Sequence, residues 1–345
     1  LPALVTASPG GTPISDAGKL GFSTTSMLYG NHSVFDSMRV GGRLRGGLWL
    51  DHDHTIGVEG IFFSIDGESQ EFEAGGDGTN ILARPYFNVD TSQQDARLIA
   101  FPTTLIGVDS VTAAGSVAVE TNMEFSGAEA LARKLVSCSK VHRVELVAGY
   151  RHSNLEDSLL IVEEINTTTV DPAATTITEV GNLLDTFEAE NNFHGGEVGV
   201  IASRWWNRLA VQVSGKVAIG GSHSRIRVVG RTVGETTTTP AAGTPTVVAF
   251  SDPFGLLAQP SNSGEFNDSE FAVMTEVGVN LEYSFPWRLK FNFGYTFISW
   301  SDVARVLDQV DLGVDPTQAQ PRPRLQFSKA DFWAQGIQGG FTYVF

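Results

Sequence analysis

The chain has 345 residues, a net charge of −16 and one cysteine, Cys138. That charge argues against a nucleic-acid partner, which needs a basic face, and a lone cysteine excludes an internal disulfide framework. No run of about 18 apolar residues is present, so no transmembrane helix is available. The opening "LPALVTASPGGTP" lacks the charged start and apolar stretch of a signal peptide, so the chain reads as a mature form or as one whose first residues are missing.

Helical periodicity is nearly absent; alternation with period two recurs instead. After a lead-in of about residues 1–20, "STTSMLYG" (23–30) is the first strand candidate. "RVGGRLRGGLWL" then turns at "DHDH" (51–54) into "TIGVEGIFFSI". A long polar stretch follows at 66–113, in which "ILARPYFNVDTSQQDARLIAF" offers one further hairpin, weakened by Pro85 because proline removes a ladder donor. "AVETNMEFSGAEALARKL" turns near Cys138 into "VHRVELVAGYR", and after a polar stretch at 152–190, "FHGGEVGVIAS" turns at "RWWN" into "RLAVQVSGKVAIGG". The stretch 222–267 holds the Thr/Pro/Gly-rich "GETTTTPAAGTPT", which cannot build a core of its own.

The clearest hairpin comes next. Phe271, Val273, Val277, Val279, Leu281 and Tyr283 share one face; past a turn at Pro286, Leu289, Phe291, Phe293, Tyr295 and Phe297 continue it. The other face carries Glu276, Gly278, Asn280, Glu282, Lys290 and Asn292, so the hairpin is oily on one side and polar on the other. A last long stretch at 302–329 leads to a strand over about 331–345.

Short turns at one end and long polar stretches at the other predict an all-β fold: a closed antiparallel transmembrane β-barrel with short periplasmic turns and long extracellular loops. Counting outward and inward strands gives ten, or twelve with the hairpin at 81–101; twelve is the expectation, as one domain over 1–345. The expected location is integral to the outer membrane of a Gram-negative bacterium. Trp49, Trp205, Trp206, Trp287, Trp300 and Trp333 all fall near strand ends, where interfacial aromatic girdles belong. Phe341, Tyr343 and Phe345 alternate at the end of the chain, which resembles the signal read by the barrel assembly machinery. Outer-membrane lipid and that machinery are the partners this implies; homo-oligomer or cell-surface assembly partners stay open.

Strand parity assigns Arg39, Arg43, Arg45, Glu59, Glu120, Glu124, Glu129, Arg133, Arg143, Glu145, Arg151, Glu197, Lys216, Glu276, Glu282 and Lys290 to the inside. Keeping Glu129 in that set requires a bulge around Ser126–Gly127. Two readings compete for these charges. They either pair across strands and fill a narrow barrel, or they form opposed walls of a wet channel that selects solutes.

Other candidates are weaker. Asp51, His52, Asp53 and His54 could ligate a metal but suit a polar turn. Cys138 and His142 are only two ligands, and the acidic stretch 66–78 suits a solvated loop better than calcium. No metal site and no cofactor are expected. A hydrolase at the rim would need serine, histidine and acid within reach of one another near His152 or His194, and spacing alone assembles no such set.

Several stretches together resemble a known family. They are "RVGGRLRGGLWLD" (39–51), "IGVEGIFF" (56–63), "ILARPYFN" (81–88), "RVELVAGYR" (143–151), "FHGGEVGV" (193–200), "KVAIG" (216–220), "FGLLAQPSNSG" (254–264) and "GYTFISWSDVARVLDQVD" (294–311). In this order they are similar to the BBP7 family of β-barrel porins, described mainly from planctomycetes. The chain departs from it at "SCSKV" (137–141), where a more cysteine-rich turn belongs. The resemblance implies an outer-membrane barrel of porin type, and brings neither a substrate nor catalytic residues. "ILARPYFN" and "FHGGEVGV" exceed what barrel-building demands. They imply a segment packed into the barrel mouth and pinned by Arg84, or a constriction formed there, with Asn192 and His194 towards the outside. Two functions follow: a diffusion channel for small polar solutes through a charge-lined lumen, or a plugged structural or adhesive component whose external loops do the work.

Overall fold

The computed structural model describes residues 1–34, 38–67 and 69–344; Phe345 of the expected assembly signal lies outside the described residues. One 16-stranded sheet holds nearly all the regular structure, and no α-helix occurs among the described residues. Four antiparallel strands form its spine: β8 (Asp109–Cys138), β9 (His142–Val170), β10 (Thr176–Trp206) and β11 (Leu209–Thr239). On one side β13 (Gly264–Ser284), β14 (Leu289–Ala304) and β16 (Lys329–Tyr343) continue the sheet. On the other side, β8 pairs in succession with β4 (Ile56–Ile65), β5 (Gln70–Gly76) and β7 (Gln93–Ile106), and β3 (Gly41–Trp49) lies outside β4. Three short strands near the N-terminus and middle of the chain, β1 (Val5–Ser8), β2 (Ser26–Tyr29) and β6 (Ile81–Asn88), extend the sheet from β7, so that its main path runs through 11 strands, strongly curled into a half-barrel. Two remaining strands are β12 (Thr246–Asp252), on β11, and β15 (Gly313–Val314), on β6.

The four short turns share one rim. Leu135 N–H donates to Thr55 O, Trp205 N–H to Val141 O, Ser284 N–H to Arg208 O and Val344 N–H to Arg288 O, each tying one turn to the next strand end. In the turn between β13 and β14, Trp287 and Arg288 both adopt left-handed backbone (φ 66° and 62°), a conformation that hairpins usually reserve for Asn or Gly.

The curled wall is made of β3, β4, β8, β9, β10, β11, β13, β14 and β16. "STTSMLYG" is not part of it: β2 pairs with β1. Nor is the hairpin at 81–101 a wall hairpin. β6 is buried on both faces except at Phe87, whereas a wall strand leaves one face outside. Pro85 sits where it costs no ladder bond, because β1 pairs β6 only as far as Ala83 and β15 begins at Phe87.

Two of the stretches expected as loops are largely strand. Residues 152–190 form an uninterrupted antiparallel ladder around a turn at 171–175, and β11 runs through to Thr239. The outer face of the wall explains why these strands change character along their length. On β11 the outward positions are apolar from Leu209 to Ile219, then become His223, Arg225 and Arg227. Eleven strand residues cover about 33 Å, and a tilt of 35–45° reduces that to about 25 Å, the height of a lipid-facing band. Leu146, Val198, Val200, Val277, Val279 and Phe293 are among the exposed apolar residues of this outer belt, and exposed apolar surface of this kind marks an interaction site such as a membrane.

Above the belt the inner face is covered. Val117, Val119, Leu159, Ile161, Phe187 and Ile226 pack against Leu4, Val5, Leu82, Tyr86, Leu257 and Val306. The covering layer is therefore built from β1, β6, the loop 253–263 and a short 3-10 helix at Val306–Gln309. β1 lies inside the expected lead-in of residues 1–20 and is part of this core.

Candidate functional site

Within the belt, inward positions of successive strands stack their side chains in layers. Nearest the short-turn rim, Glu59 of β4 meets Arg133 of β8 and Arg45 of β3, the latter at 2.9 Å. Glu145 of β9 holds Arg133 and Arg143, the second at 2.7 Å. Trp49 covers this layer, with the Arg143 guanidinium 4.4 Å from its ring centroid. Farther along this rim, Lys290 pairs with Glu282 at 2.8 Å.

The next layer up is buried except at Arg43, whose side chain is part-exposed. Arg151 is 0% exposed and lies 2.9 Å from Glu276 and 3.0 Å from Glu197. Lys216 contacts Glu129, lies 3.2 Å from Glu276, and Arg43 reaches the same Glu276 at 2.9 Å. Three acids and three bases thus balance, which is what removing ions from water demands. Glycines make room for the largest of them. Arg151 shares a rung with Gly195, and Gly195 with Gly220, where an added Cβ would lie 2.0 Å from His194 O.

Above the ions is an aromatic layer. Phe125 packs edge-on against Phe63 and Phe332, each at 5.1 Å between centroids, and Phe193 meets Trp300 at 5.9 Å. Trp300 is fully buried. A polar tier follows: Asn191 bonds both Ala304 N–H and Ala304 O, and Asp157 accepts from Arg305 at 2.8 Å and from Val306 N–H. Burial pushes the Asp157 carboxyl above its ordinary value, against the pull of Arg305.

The covering layer closes the stack. Arg84 of "ILARPYFN" is 1% exposed, 2.6 Å from Asp185 and 3.6 Å from Glu163. Asp185 also accepts the Leu257 and Ala258 N–H groups of "FGLLAQPSNSG" at 2.9 and 2.8 Å. A few residues away, burial and the neighbouring Asp95 carboxylate push the Tyr86 phenol up to about 12.

The expected interior set divides. Arg43, Arg45, Glu59, Glu129, Arg133, Arg143, Glu145, Arg151, Glu197, Lys216 and Glu276 meet in the two ion layers, while Glu282 and Lys290 form a separate pair. Arg39 donates to Met123 O. Glu120 and Glu124 stand exposed on the outer face of β8, because that strand alternates without a shift from Ser110 to Leu135 and has no bulge at Ser126–Gly127. Glu124 lies beside Glu156 on β9, with Glu190 and Arg225 continuing the same outward row.

The tryptophans divide too. Trp206, Trp287 and Trp333 are exposed, and Trp333 stacks on Phe297. Trp49, Trp205 and Trp300 have inward parity; nearness to a strand end does not decide which face a side chain takes. Phe341 and Tyr343 are exposed on the outer face of β16. Sequence reasoning missed the aromatic layer and the polar tier; Phe125, Phe193 and Asn191 share parity with the inner charges, which was the available signal.

The weaker candidates have other occupations. Asp51 caps the β3–β4 turn through Thr55 and Ile56 N–H, and His142 bonds Ser139. Among the described residues no three His, Cys, Asp or Glu side chains are grouped to hold a metal ion. His152 and His194 stack at 4.4 Å on the outer face, their Nδ1 atoms meeting Phe193 O and the Tyr150 hydroxyl, neither of which is a serine or an acid.

Among the described residues no helix is long and apolar enough to cross a membrane. No curated protein matches the chain. Over residues 1–345 it matches the family described as Putative beta barrel porin-7 (BBP7), and so the chain belongs to that family of β-barrel porins.

Proposed function

We propose that the protein is an integral outer-membrane β-barrel of porin type that is closed inside, and that it serves as a structural, surface-presenting component. Lipid meets the apolar belt, the short turns lie in the periplasm, and the covered extension of β8 to β11 stands outside the cell. The wall closes into a full barrel in the membrane, delivered there by the barrel assembly machinery. The reading involves no enzymatic step and no cofactor.

One observation carries it: Glu129, Arg151, Glu197, Lys216 and Glu276, none more than 5% exposed, form a mutually paired layer, and the aromatic layer of Phe125, Phe193 and Trp300 lies directly above them. Paired ions with aromatic cover are a plug rather than a wet channel, because a conducting path needs water and sites weak enough to leave. A second reading, a gated pore for small polar solutes, draws support from the opposite wall. There the inward residues of β13, β14 and β16 include Asn280, Asn292, Thr296 and Gln338, polar, uncharged and only part-buried.

Planar-bilayer recording separates the two. The purified wild-type protein is expected to give no conductance steps above leak. Steps from wild type would overturn the closed reading in favour of the pore; Trp300→Ala is expected to introduce flickering steps by thinning the aromatic layer.

A further inference from the structure

We infer that the wall closes through a parallel pairing of its first strand, β3, with its last, β16. The inference rests on the outer-membrane reading above. Among the described residues β3 pairs only with β4 and β16 only with β14, so both present a free edge. Both edges lie in the apolar belt: Leu44 and Leu48 on β3, and Ile337 and Phe341 on β16, are all more than half exposed. Strand edges facing hydrocarbon have no water to satisfy their N–H and C=O groups, and open edges do not persist there.

The interior already draws the two edges together. Arg43 and Arg45 of β3 reach across to Glu276 of β13 at 2.9 Å and to Gln212 of β11 at 3.3 Å. β13 is separated from β16 only by β14. The inward side chains of β3 are therefore bound to the part of the wall that β16 completes. The alternative first strand, β2, is engaged in the covering layer with β1.

Direction fixes the type of seam. β3 runs into the short turn before Ile56, and β16 ends opposite Leu289 at the same rim. Two strands running towards one rim pair in parallel, which this nine-stranded wall requires; the seam would then follow the odd-stranded mitochondrial barrels and depart from the even-stranded bacterial ones. Parallel ladders are slightly weaker per residue, and both edges are glycine-rich, with Gly41, Gly42, Gly46 and Gly47 on β3 and Gly336, Gly339 and Gly340 on β16. The seam is accordingly the part of the wall that separates first.

Cysteine cross-linking of the full chain in lipid vesicles tests this. In a Cys138→Ser background, Leu48→Cys is combined in turn with Ile337→Cys, Gly339→Cys or Phe341→Cys, all outward positions. A thiol reagent spanning one strand spacing, about 5 Å, is then added. At least one pair should give a cross-link within a single chain that keeps the compact band on boiling. The pair Phe297→Cys with Trp333→Cys, whose native rings stack 6.4 Å apart, serves as the positive control. Cross-links only between two chains, or none while the control reacts, would overturn the seam. Failure of every variant and of wild type to show a heat-modifiable band would instead sink the outer-membrane reading.

Discussion

The same strands behave oppositely in their two halves. On β11, Lys216 points in and Val217 out within the belt; twelve positions on, Val228 points in and Arg227 out. β10 repeats the inversion, with Glu197 inside and Val198 outside below, and Phe187 inside and Glu188 outside above. Neither ladder slips between these levels. The alternation is constant and the chemistry assigned to each face reverses; under the outer-membrane reading proposed above, this is the reversal expected where the outer solvent changes from lipid to water. The teaching is that parity specifies a face, and the environment specifies what that face wants.

The strongest way to break the comparison is to unbalance the lower inner face. Arg151→Met leaves Glu129, Glu197 and Glu276 with only Lys216 and Arg43 to answer them. Removing one partner from a buried ion set costs about 3–5 kcal/mol, so the fraction running as a folded, heat-modifiable band should collapse and the urea midpoint should fall. A wild-type midpoint would mean the layer is wet.

A milder test places the same charge on the same outer face at two heights. Val217→Arg sits in the belt and should cost about 2–4 kcal/mol if it lies near the bilayer midplane. Val229→Arg, twelve residues further along β11 and also exposed, should stay within about 0.5 kcal/mol of wild type. Urea titrations in vesicles measure both; equal effects would remove the distinction between the halves.

How much of this was legible in the sequence follows the same line. The hairpin from Phe271 to Phe297 was readable residue by residue, because an apolar outer face and a polar inner face give a sharp two-residue alternation. The ladder at 152–190 was read as loop because its outer face carries Ser158, Glu188 and Glu190, and its inner face mixes Asp157, Glu163 and Asp185 with Leu159 and Phe187. Glu120 and Glu124 fall outside rather than inside for a related reason: a carboxylate on a barrel strand suggests the interior only where the outer face is apolar, and beside Glu124 that face carries Glu156, Glu190 and Arg225. Arg84 was readable as a pin; its partners, Asp185 and Glu163, were not, since they are brought to it by a fold that joins residues far apart in the chain, 101 positions for Asp185.

The smallest effect belongs to the turn at 51–55 on the short-turn rim, where a side chain of the turn itself holds the backbone. Asp51 is part-exposed, and hydrogen bonds from the Thr55 hydroxyl and from Ile56 and Thr55 N–H lower its pKa to about 2. A depressed carboxylate pKa means the folded turn binds its proton less readily than the unfolded chain does. Its contribution is therefore fully present above the unfolded value of about 3.9 and is lost as pH falls through about 2. Amide exchange at Thr55 and Ile56, followed from pH 5 to pH 2, should show protection declining over that window relative to the β10–β11 amides. In Asp51→Asn the decline should be absent. A decline unchanged in the variant would place the titrating group elsewhere and would mean that the rim, like the upper half, is held by packing rather than by its own turn chemistry.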